Sequence, residues 1–295
     1  MSHEPLRLGT RGSPLALAQA QIVASGLCAA HDWGPTAVEI VPIRTSGDRI
    51  QDRALAEVGG KALWTKELDR ALIAGEIDLA VHSMKDVETI RPPEIAIAAI
   101  LPRADVRDRL IGAASVGDIP EGARVGTSSP RRSAQLLRAR PDLEIVLFRG
   151  NVDTRLAKLS AGEAAATLLA AAGLDRLGRY LVGNAIEVEE MLPAPAQGAV
   201  GIETLDERED VRRLLSPLND AASAEAVAAE RAFLAALGAD CRSPVAALWR
   251  DGSFRGEILT PDGRECVSGS DADPQALARD LLDRASPGLR ALFTG

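Results

Sequence analysis

The feature that most constrains the fold is a strand–turn–helix junction that occurs twice. Leu8-Gly-Thr-Arg-Gly-Ser-Pro14 and Arg124-Val-Gly-Thr-Ser-Ser-Pro130 each place Gly-Thr before a short turn and a Ser-Pro pair, about 117 positions apart, with Gln19 and Gln135 further on. Serine caps helices and proline favours their first position, while a helix N-terminus attracts anions. The repeat predicts two similar α/β lobes, each directing a helix N-terminus at a shared cleft. Coincidence stays open, because such junctions favour Gly, Ser and Pro everywhere.

A second feature is the apolar run Ile77 to Val81, which ends abruptly in His82, Ser83, Lys85 and Asp86. In open α/β sheets, ligands bind where strands end at their carboxyl edge, so this cluster indicates a site. The chain has only four lysines against thirty arginines, which makes a lysine beside an aspartate notable. The alternative is a solvated strand exit with an incidental Lys/Asp pair.

Composition limits the class of protein. The 295 residues suffice for two or three domains, and 46% hydrophobic with 26% charged residues is typical of a soluble globular chain. A net charge of −8 and 3% aromatics argue against nucleic-acid binding. The segment from Arg124 to Lys158, however, contains eight basic and three acidic residues. Its local net charge of +5 indicates an anion site.

The three cysteines, Cys28, Cys241 and Cys266, have neither metal-ligand nor CxxC spacing, so we expect no metal and no disulfide. Cys241 lies in a turn beside Arg242, whose charge favours the thiolate, although a lone cysteine is more often a small buried apolar residue. The N-terminus lacks an apolar segment before a cleavage site, and no run approaches membrane-spanning length. We therefore expect a cytoplasmic protein.

The order of predicted elements gives a domain plan of mixed α/β lobes followed by a smaller unit. We assign residues 1–99 and 200–219 to the first lobe, 100–199 to the second, and 220–295 to a small C-terminal α+β domain. Residues 186–191 are predicted as a strand, and a strand of the second lobe is expected over residues 110–114. The apolar run over residues 164–172 is predicted to be either a buried strand or a helix. The polar segment from Thr45 to Lys61 is predicted to be a mobile loop that closes over a site, or else a long connection.

Arginines collect at predicted strand ends and helix starts, namely Arg11, Arg131, Arg132, Arg149, Arg155 and Arg176. An exposed arginine–carboxylate pair contributes about 0–1 kcal/mol, so one small anion would not need six. Forked donors lining a cleft suit a ligand with many carboxylates or phosphates, at about 1.5–3 kcal/mol per charge-assisted bond. The alternative is that arginine is simply abundant in this chain.

Six motifs in this order resemble those of the porphobilinogen deaminase family, whose members are also called hydroxymethylbilane synthases. They are Leu-Gly-Thr-Arg-Gly-Ser-Pro, Val-His-Ser-Met-Lys-Asp-Val, Gly-Thr-Ser-Ser-Pro-Arg-Arg, Arg-Gly-Asn-Val-Asp-Thr-Arg, Ala-Gly-Leu-Asp-Arg-Leu-Gly, and Ala-Glu-Arg-Ala-Phe-Leu before Cys241. The match runs from residue 6 to about residue 250.

The resemblance implies two lobes like those of periplasmic binding proteins and a dipyrromethane cofactor attached to Cys241 through a thioether. It implies that four porphobilinogens are added in steps with loss of ammonia, and that water releases the linear tetrapyrrole. In this hypothesis Asp86 assists loss of ammonia and stabilises the cation that forms. The groups that bind the acetates and propionates are Arg11, Ser13, Lys85, Thr127, Ser128, Ser129, Arg131, Arg132, Arg149, Arg155 and Arg176. We expect a monomer whose only partner is the small-molecule substrate, with no nucleic acid and no membrane.

The chain also departs from the family pattern. Glu88 stands where a proline usually follows Lys-Asp-Val, Pro130 where a leucine is common, and Ala62 and Trp64 where glycine and phenylalanine are commoner. None of these changes removes a charge or thiol that the chemistry uses. A second hypothesis is a cytoplasmic anion-binding or sensor module that shares the two-lobed fold without covalent chemistry.

Overall fold

The computed structural model describes residues 4–45 and 65–293. Its described strands form two five-stranded mixed sheets and one three-stranded antiparallel sheet, and helices separate many of the strands along the sequence. This is the mixed α/β architecture with a small additional α+β part that the sequence predicts, so the fold class is confirmed. The described elements are numbered in chain order below.

The first sheet has the order β2-β1-β3-β10-β4. Its strands are β1 (Leu6–Arg11), β2 (Val38–Ile43), β3 (Leu79–Ser83), β4 (Ile95–Ile100) and β10 (Val200–Leu205). Strand β1 runs parallel to β2 and β3, whereas β10 is antiparallel to both β3 and β4. Pro42 is tolerated in β2 because that strand lies at the sheet edge, where one side of the backbone makes no ladder bonds.

Helices cover this sheet with small and branched apolar side chains. They are α1 (Pro14–Ala30), α2 (Lys66–Ile73) and α6 (Glu209–Leu215). On α1, Ala20, Val23, Ala24 and Leu27 recur at helical spacing and pack in one core cluster with Leu8 of β1. Their burial holds the helix against the sheet and so fixes the position of its N-terminus.

The second sheet has the order β7-β6-β8-β5-β9. Its strands are β5 (Asp108–Ile111), β6 (Arg124–Thr127), β7 (Glu144–Leu147), β8 (Ala166–Ala170) and β9 (Asn184–Ala185), and its helices are α3 (Pro130–Ala139), α4 (Val152–Ser160) and α5 (Ala171–Arg176). Strand β6 runs parallel to β7 and β8, and β5 is antiparallel to β8 and β9.

The two five-stranded sheets therefore follow one plan. In each, the first parallel strand lies between the second and the third, and a further strand, β10 or β5, pairs antiparallel with the third. Gly9 and Gly126 occupy the same place in the repeated junction, and a Cβ at either would overlap a side chain, that of Ile77 or that of Phe148. The internal repeat predicted from the sequence is thus confirmed as a repeat of sheet topology.

The third sheet is formed by three consecutive antiparallel strands near the C-terminus, in the order β11-β12-β13. The strands are β11 (Val245–Arg250), β12 (Ser253–Leu259) and β13 (Cys266–Asp271), and the helices are α7 (Ala221–Leu237), α8 (Pro274–Arg284) and α9 (Pro287–Arg290). Its core joins Phe233 of α7 to Phe254 of β12, whose rings lie 5.1 Å apart, and to Leu277 and Leu281 of α8.

The chain divides into two compact units. Of the described residues, the first unit contains 4–45, 65–104 and 199–225, and the second contains 105–198 and 226–293. The second unit thus includes both the second five-stranded sheet and most of the C-terminal part. The division into three domains at 99, 199 and 219 stays a prediction.

Three local predictions change. Residues 186–191 are not a strand: Met191 donates its backbone N–H to Glu187, and Ile186, Val188 and Met191 are buried from a turn, which mimics strand alternation. The strand expected over residues 110–114 runs instead from Asp108 to Ile111, and its first residue is a carboxylate that is buried in ion pairs. Residues 164–172, predicted as strand or helix, contain the whole of β8 and the first two residues of α5.

Within the described residues, no helix combines the length and apolar character needed to cross a bilayer.

Candidate active site

The first junction ends at a well-formed helix start. Ser13 accepts a hydrogen bond from the backbone N–H of Ala16 at 3.3 Å, and Pro14 occupies the first helical turn. Arg11 is the last residue of β1 and is half-buried. The predicted pair Arg11 and Ser13 therefore lies at the carboxyl end of β1.

Asp86 lies in a short 3₁₀ turn, Met84–Asp86, directly after β3. The strand ends two residues later than the apolar run, so that His82 and Ser83 are part of it. Lys85 and Asp86 are both half-buried. Because β1 and β3 are adjacent and parallel, their carboxyl ends reach the same edge of the sheet, and the turn lies at the edge that also carries Arg11.

The end of β3 is tied to its surroundings by polar side chains. The buried Gln19 of α1 donates to Ser83 Oγ at 2.9 Å. His82 Nε2 lies 3.1 Å from Glu203 Oε2, and both side chains are almost fully buried. Burial alone raises the pKa of Glu203, but His82 and Arg91 outweigh it and lower that pKa to about 2.

The second junction repeats the helix cap and adds buried arginines. Ser129 accepts from the N–H of Arg132 at 3.4 Å. Asp108, which is 1% exposed, accepts from Arg131 Nη2 at 2.7 Å and from Arg132 Nη2 at 2.6 Å. The two arginines therefore point inward, onto one carboxylate, and the three side chains together carry one net positive charge.

The remaining predicted binding residues of the second unit lie at the carboxyl ends of its parallel strands. Thr127 closes β6, and its Oγ1 accepts from the N–H of Ser129 at 3.2 Å. Arg149 comes two residues after β7 and is buried. On α4, Arg155 donates to Gly150 O at 3.0 Å and to Ser128 Oγ at 3.4 Å.

Arg176 differs from the other arginines in its environment. It ends α5, the helix that follows β8 directly, and it donates to Gly198 O at 2.7 Å. In the part of the chain that the structure describes, no carboxylate lies within ion-pair distance of it, and burial lowers its pKa against a smaller opposing effect of Asp175. A half-buried guanidinium without a carboxylate partner is suited to binding an anion.

Cys241 lies in the turn between α7 and β11 and is the exposed member of the three cysteines, since Cys28 and Cys266 are half-buried. The neighbouring guanidinium of Arg242 donates to Asp240 Oδ2 at 2.6 Å, so its charge is shared with a carboxylate. The thiol is accessible for covalent attachment. Lys61 and the rest of the predicted loop after Thr45 lie outside the described residues.

Each unit thus gathers its predicted site residues at one sheet edge, and Cys241 stands in a separate turn. The sequence analysis missed the buried partners Asp108, Glu203 and Arg91, because a charged residue inside an apolar strand gives no periodic signal of its pairing. The shared cleft and the roles of the individual site residues stay predictions.

Comparisons with known proteins point to one family. A family model described as the porphobilinogen deaminase, dipyromethane cofactor binding domain matches residues 6–213. A protein of Sphingopyxis alaskensis named porphobilinogen deaminase is 57% identical, over 98% of this chain and 96% of that protein. One of Paracoccus denitrificans with the same name is 50% identical, over 95% of this chain and 93% of that protein.

Among solved structures, the periplasmic VFT2 domain of Bordetella pertussis BvgS matches with a TM-score of 0.41 and 15% sequence identity, covering 72% of this chain and 86% of that one. The fold assignment therefore rests on the sheet topology described above and not on this match.

Replacement of Asp108 by asparagine tests the buried arginine pair. The change leaves two buried guanidinium groups without their anion, which is expected to lower the free energy of unfolding by about 3–5 kcal/mol. The measurement is urea unfolding followed by circular dichroism. Asp210→Asn, at an exposed pair with Arg208, is the control and should change stability little. Equal stability of Asp108→Asn and wild type would contradict the buried pair.

The depressed pKa of Glu203 predicts a dependence of stability on pH. Its carboxylate contributes stability above its unfolded pKa of about 4.5, and this contribution is lost as the pH falls toward about 2. The stability difference between wild type and Glu203→Gln should therefore shrink below about pH 4.5, by up to about 1.4 kcal/mol per pH unit. Urea unfolding between pH 7 and pH 3 measures it. The exposed Glu207→Gln is the control, and parallel curves for wild type and Glu203→Gln would contradict the prediction.

Proposed function

The chain belongs to the porphobilinogen deaminase family, and from that premise we propose that Asp86 is the acid–base and cation-stabilising group of its active site. The enzyme is a transferase that condenses four porphobilinogen molecules, with release of ammonia, into the linear tetrapyrrole hydroxymethylbilane. Loss of ammonia from a pyrrole side chain needs a proton for the leaving amine and leaves a positive charge on the ring system. One carboxyl group can serve both needs, and general acid–base catalysis contributes about 10²–10⁴ in rate.

The observation that carries this proposal is the state of the Asp86 carboxylate. Among the described residues it has no hydrogen-bond or ion-pair partner, although it is half-buried at the carboxyl edge of the first sheet. A carboxylate that is not committed to a structural arginine is available for a cation that develops on a substrate. Glu88, two positions after it, and Asp69 on α2 are instead bound to Arg91.

We propose that the substrate carboxylates are bound by two kinds of group. Arg149, Arg155 and Arg176 supply guanidinium donors in the second unit, and Arg11 and Lys85 supply the charges of the first unit. Ser13, Thr127, Ser128 and Ser129 add hydroxyl and backbone donors at the two helix starts. Arg131 and Arg132, held by Asp108, act as a fixed positive background, and each keeps a buried Nε donor without a partner among the described residues.

The cofactor of this family is dipyrromethane, and we propose that it is attached to Cys241. An exposed thiol suits a thioether, and the unpaired Nε donors and the arginine set suit a group rich in carboxylates. The matched family region ends at residue 213, so the attachment site itself rests on the thiol's exposure and on the motif before it. When bound, dipyrromethane supplies the carbon terminus to which the first substrate unit is joined.

We further propose that the enzyme works as a monomer in the cytoplasm on small-molecule substrate alone. A net charge of −8 supports the absence of a nucleic-acid partner, because a protein field of that sign repels phosphate backbones.

Intact mass of the freshly purified protein tests the attachment. Wild type should carry an adduct of two pyrrole units, and Cys241→Ala should have the unmodified mass. Cys28→Ala and Cys266→Ala are matched controls that should keep the adduct, since both thiols are half-buried. An adduct that persists in Cys241→Ala would move the attachment elsewhere.

Asp86→Asn tests the catalytic role. The amide keeps the shape of the side chain but can neither donate the proton nor balance the positive charge, so ammonia release should fall at least about 10²-fold. The adduct should still be detectable by mass. Asp153→Asn, at an exposed position on α4, is the control for loss of a carboxylate. Wild-type turnover in Asp86→Asn would remove the proposed role.

A further inference from the structure

We propose that Arg91 is a positioning residue that fixes the turn bearing Asp86, and so sets the catalytic rate without touching substrate. The proposal rests on the proposed function of Asp86. Arg91 follows that residue by five positions, and its side chain is only 8% exposed. It is bound by three carboxylates from three different parts of the first unit.

The guanidinium of Arg91 uses all its nitrogen atoms as donors. Nε and Nη2 each donate at 2.8 Å to one oxygen of Glu203 on β10. Nη2 and Nη1 donate to Asp69 on α2, at 2.5 and 3.2 Å. Nη1 also donates to Glu88 at 2.9 Å, and Glu88 in turn accepts from Thr65 Oγ1 at 2.6 Å. One side chain therefore joins the segment after Asp86 to a helix and to the neighbouring strand.

The segment before Asp86 is fixed by the same strand, β10. Glu203 is the residue that lies 3.1 Å from His82, near the end of β3. Met84, the first residue of the turn, is fully buried, donates its N–H to Ala199 O at 3.1 Å and packs over Gly201, where a Cβ would overlap its sulphur. The turn is thus held on both sides, at His82 and Met84 before Asp86 and at Glu88 and Arg91 after it.

This arrangement matters for catalysis because Asp86 has no side-chain partner of its own among the described residues to hold it in place. Its carboxylate has no partner among the described side chains, so the backbone of the turn is what sets its position. A displacement of about 1 Å at a reacting group can cost about 10²-fold in rate. Glu88, which stands where proline is usual in the family, is the member of the network closest to Asp86 in the sequence. The Glu88–Arg91 pair therefore supplies a restraint at the place where a proline ring would stiffen the chain.

A purely structural role for Arg91 predicts a different result from a positioning role. Loss of its charge leaves Asp69, Glu88 and Glu203 without their common cation, which lowers stability in either case. A purely structural role changes stability alone, whereas a positioning role also lowers kcat in the folded enzyme. Arg7 offers a matched control, because it pairs with Asp78 at the opposite end of β3, at 3.1 Å.

The experiment compares Arg91→Gln, Arg91→Lys, Glu88→Gln and Arg7→Gln as full-length proteins loaded with cofactor, with loading checked by intact mass. Ammonia release from porphobilinogen is measured well below the Tm of each variant. For Arg91→Gln we expect kcat to fall about 10- to 100-fold while KM changes less than about threefold. Arg91→Lys should recover part of the loss, because lysine keeps the charge but not the fork. Arg7→Gln should keep the wild-type kcat.

Glu88→Gln keeps the proposal testable should Arg91→Gln fail to fold, since the change replaces one half-buried carboxylate with an amide of the same shape. It should lower kcat in the same direction by a smaller factor. A wild-type kcat in folded Arg91→Gln, or in Glu88→Gln where the former does not fold, overturns the role of Arg91. Absence of ammonia release by the wild-type protein would instead reject the proposed function, so the two failures are distinguishable.

Discussion

A buried carboxylate on the antiparallel strand of each five-stranded sheet is the interaction on which the arrangement of both sheet edges depends. Strands β5 and β10 occupy the same place in the two sheets, next to the third parallel strand. Asp108 on β5 receives Arg131 and Arg132, and Glu203 on β10 receives Arg91. In both units, therefore, the strand that pairs antiparallel with the third parallel strand carries the anion that binds the arginines, from 23 and 24 residues away in the second unit and 112 residues away in the first.

The physical cost of such pairs explains why they are so completely bonded. Taking a charge out of water costs several kcal/mol, and the loss is offset only when each charge has hydrogen-bonded partners of opposite sign. Asp108 also accepts from Gln197 at 2.8 Å, and Glu203 has both oxygens occupied. Pairs of this kind add little to stability overall, but they penalise every arrangement in which β5 or β10 is misplaced. They thus specify the register at which the sheet edges meet their turns.

The features that could be predicted from the sequence are those that depend on residues close together in the chain. The Gly-Thr and Ser-Pro repeat gave the two similar sheets and both helix starts, since capping and close backbone approach act within a few residues. It could not predict Asp108 or Glu203 as buried, because their partners lie elsewhere in the chain, 112 residues away for Arg91 and Glu203. For the same reason, the start of β5 was predicted too late, because the charged Asp108 is typical of a loop. Residues 186–191 were wrongly predicted as a strand. Burial alternates there, but the backbone bonds are those of a turn.

The arginines singled out from the sequence also separate into two groups by their partners. Arg131 and Arg132 share a carboxylate and cannot turn outward without leaving Asp108 buried without its ion pairs. The three side chains therefore form a fixed cluster with one net positive charge. Arg176 donates to a carbonyl oxygen, which satisfies a hydrogen bond but leaves the guanidinium without an ion-pair partner among the described residues. An incoming carboxylate gains more at such a group than at one already paired. If the proposed function holds, the carboxylates of a growing polyanionic chain should therefore gain more at Arg176 than at Arg131 or Arg132.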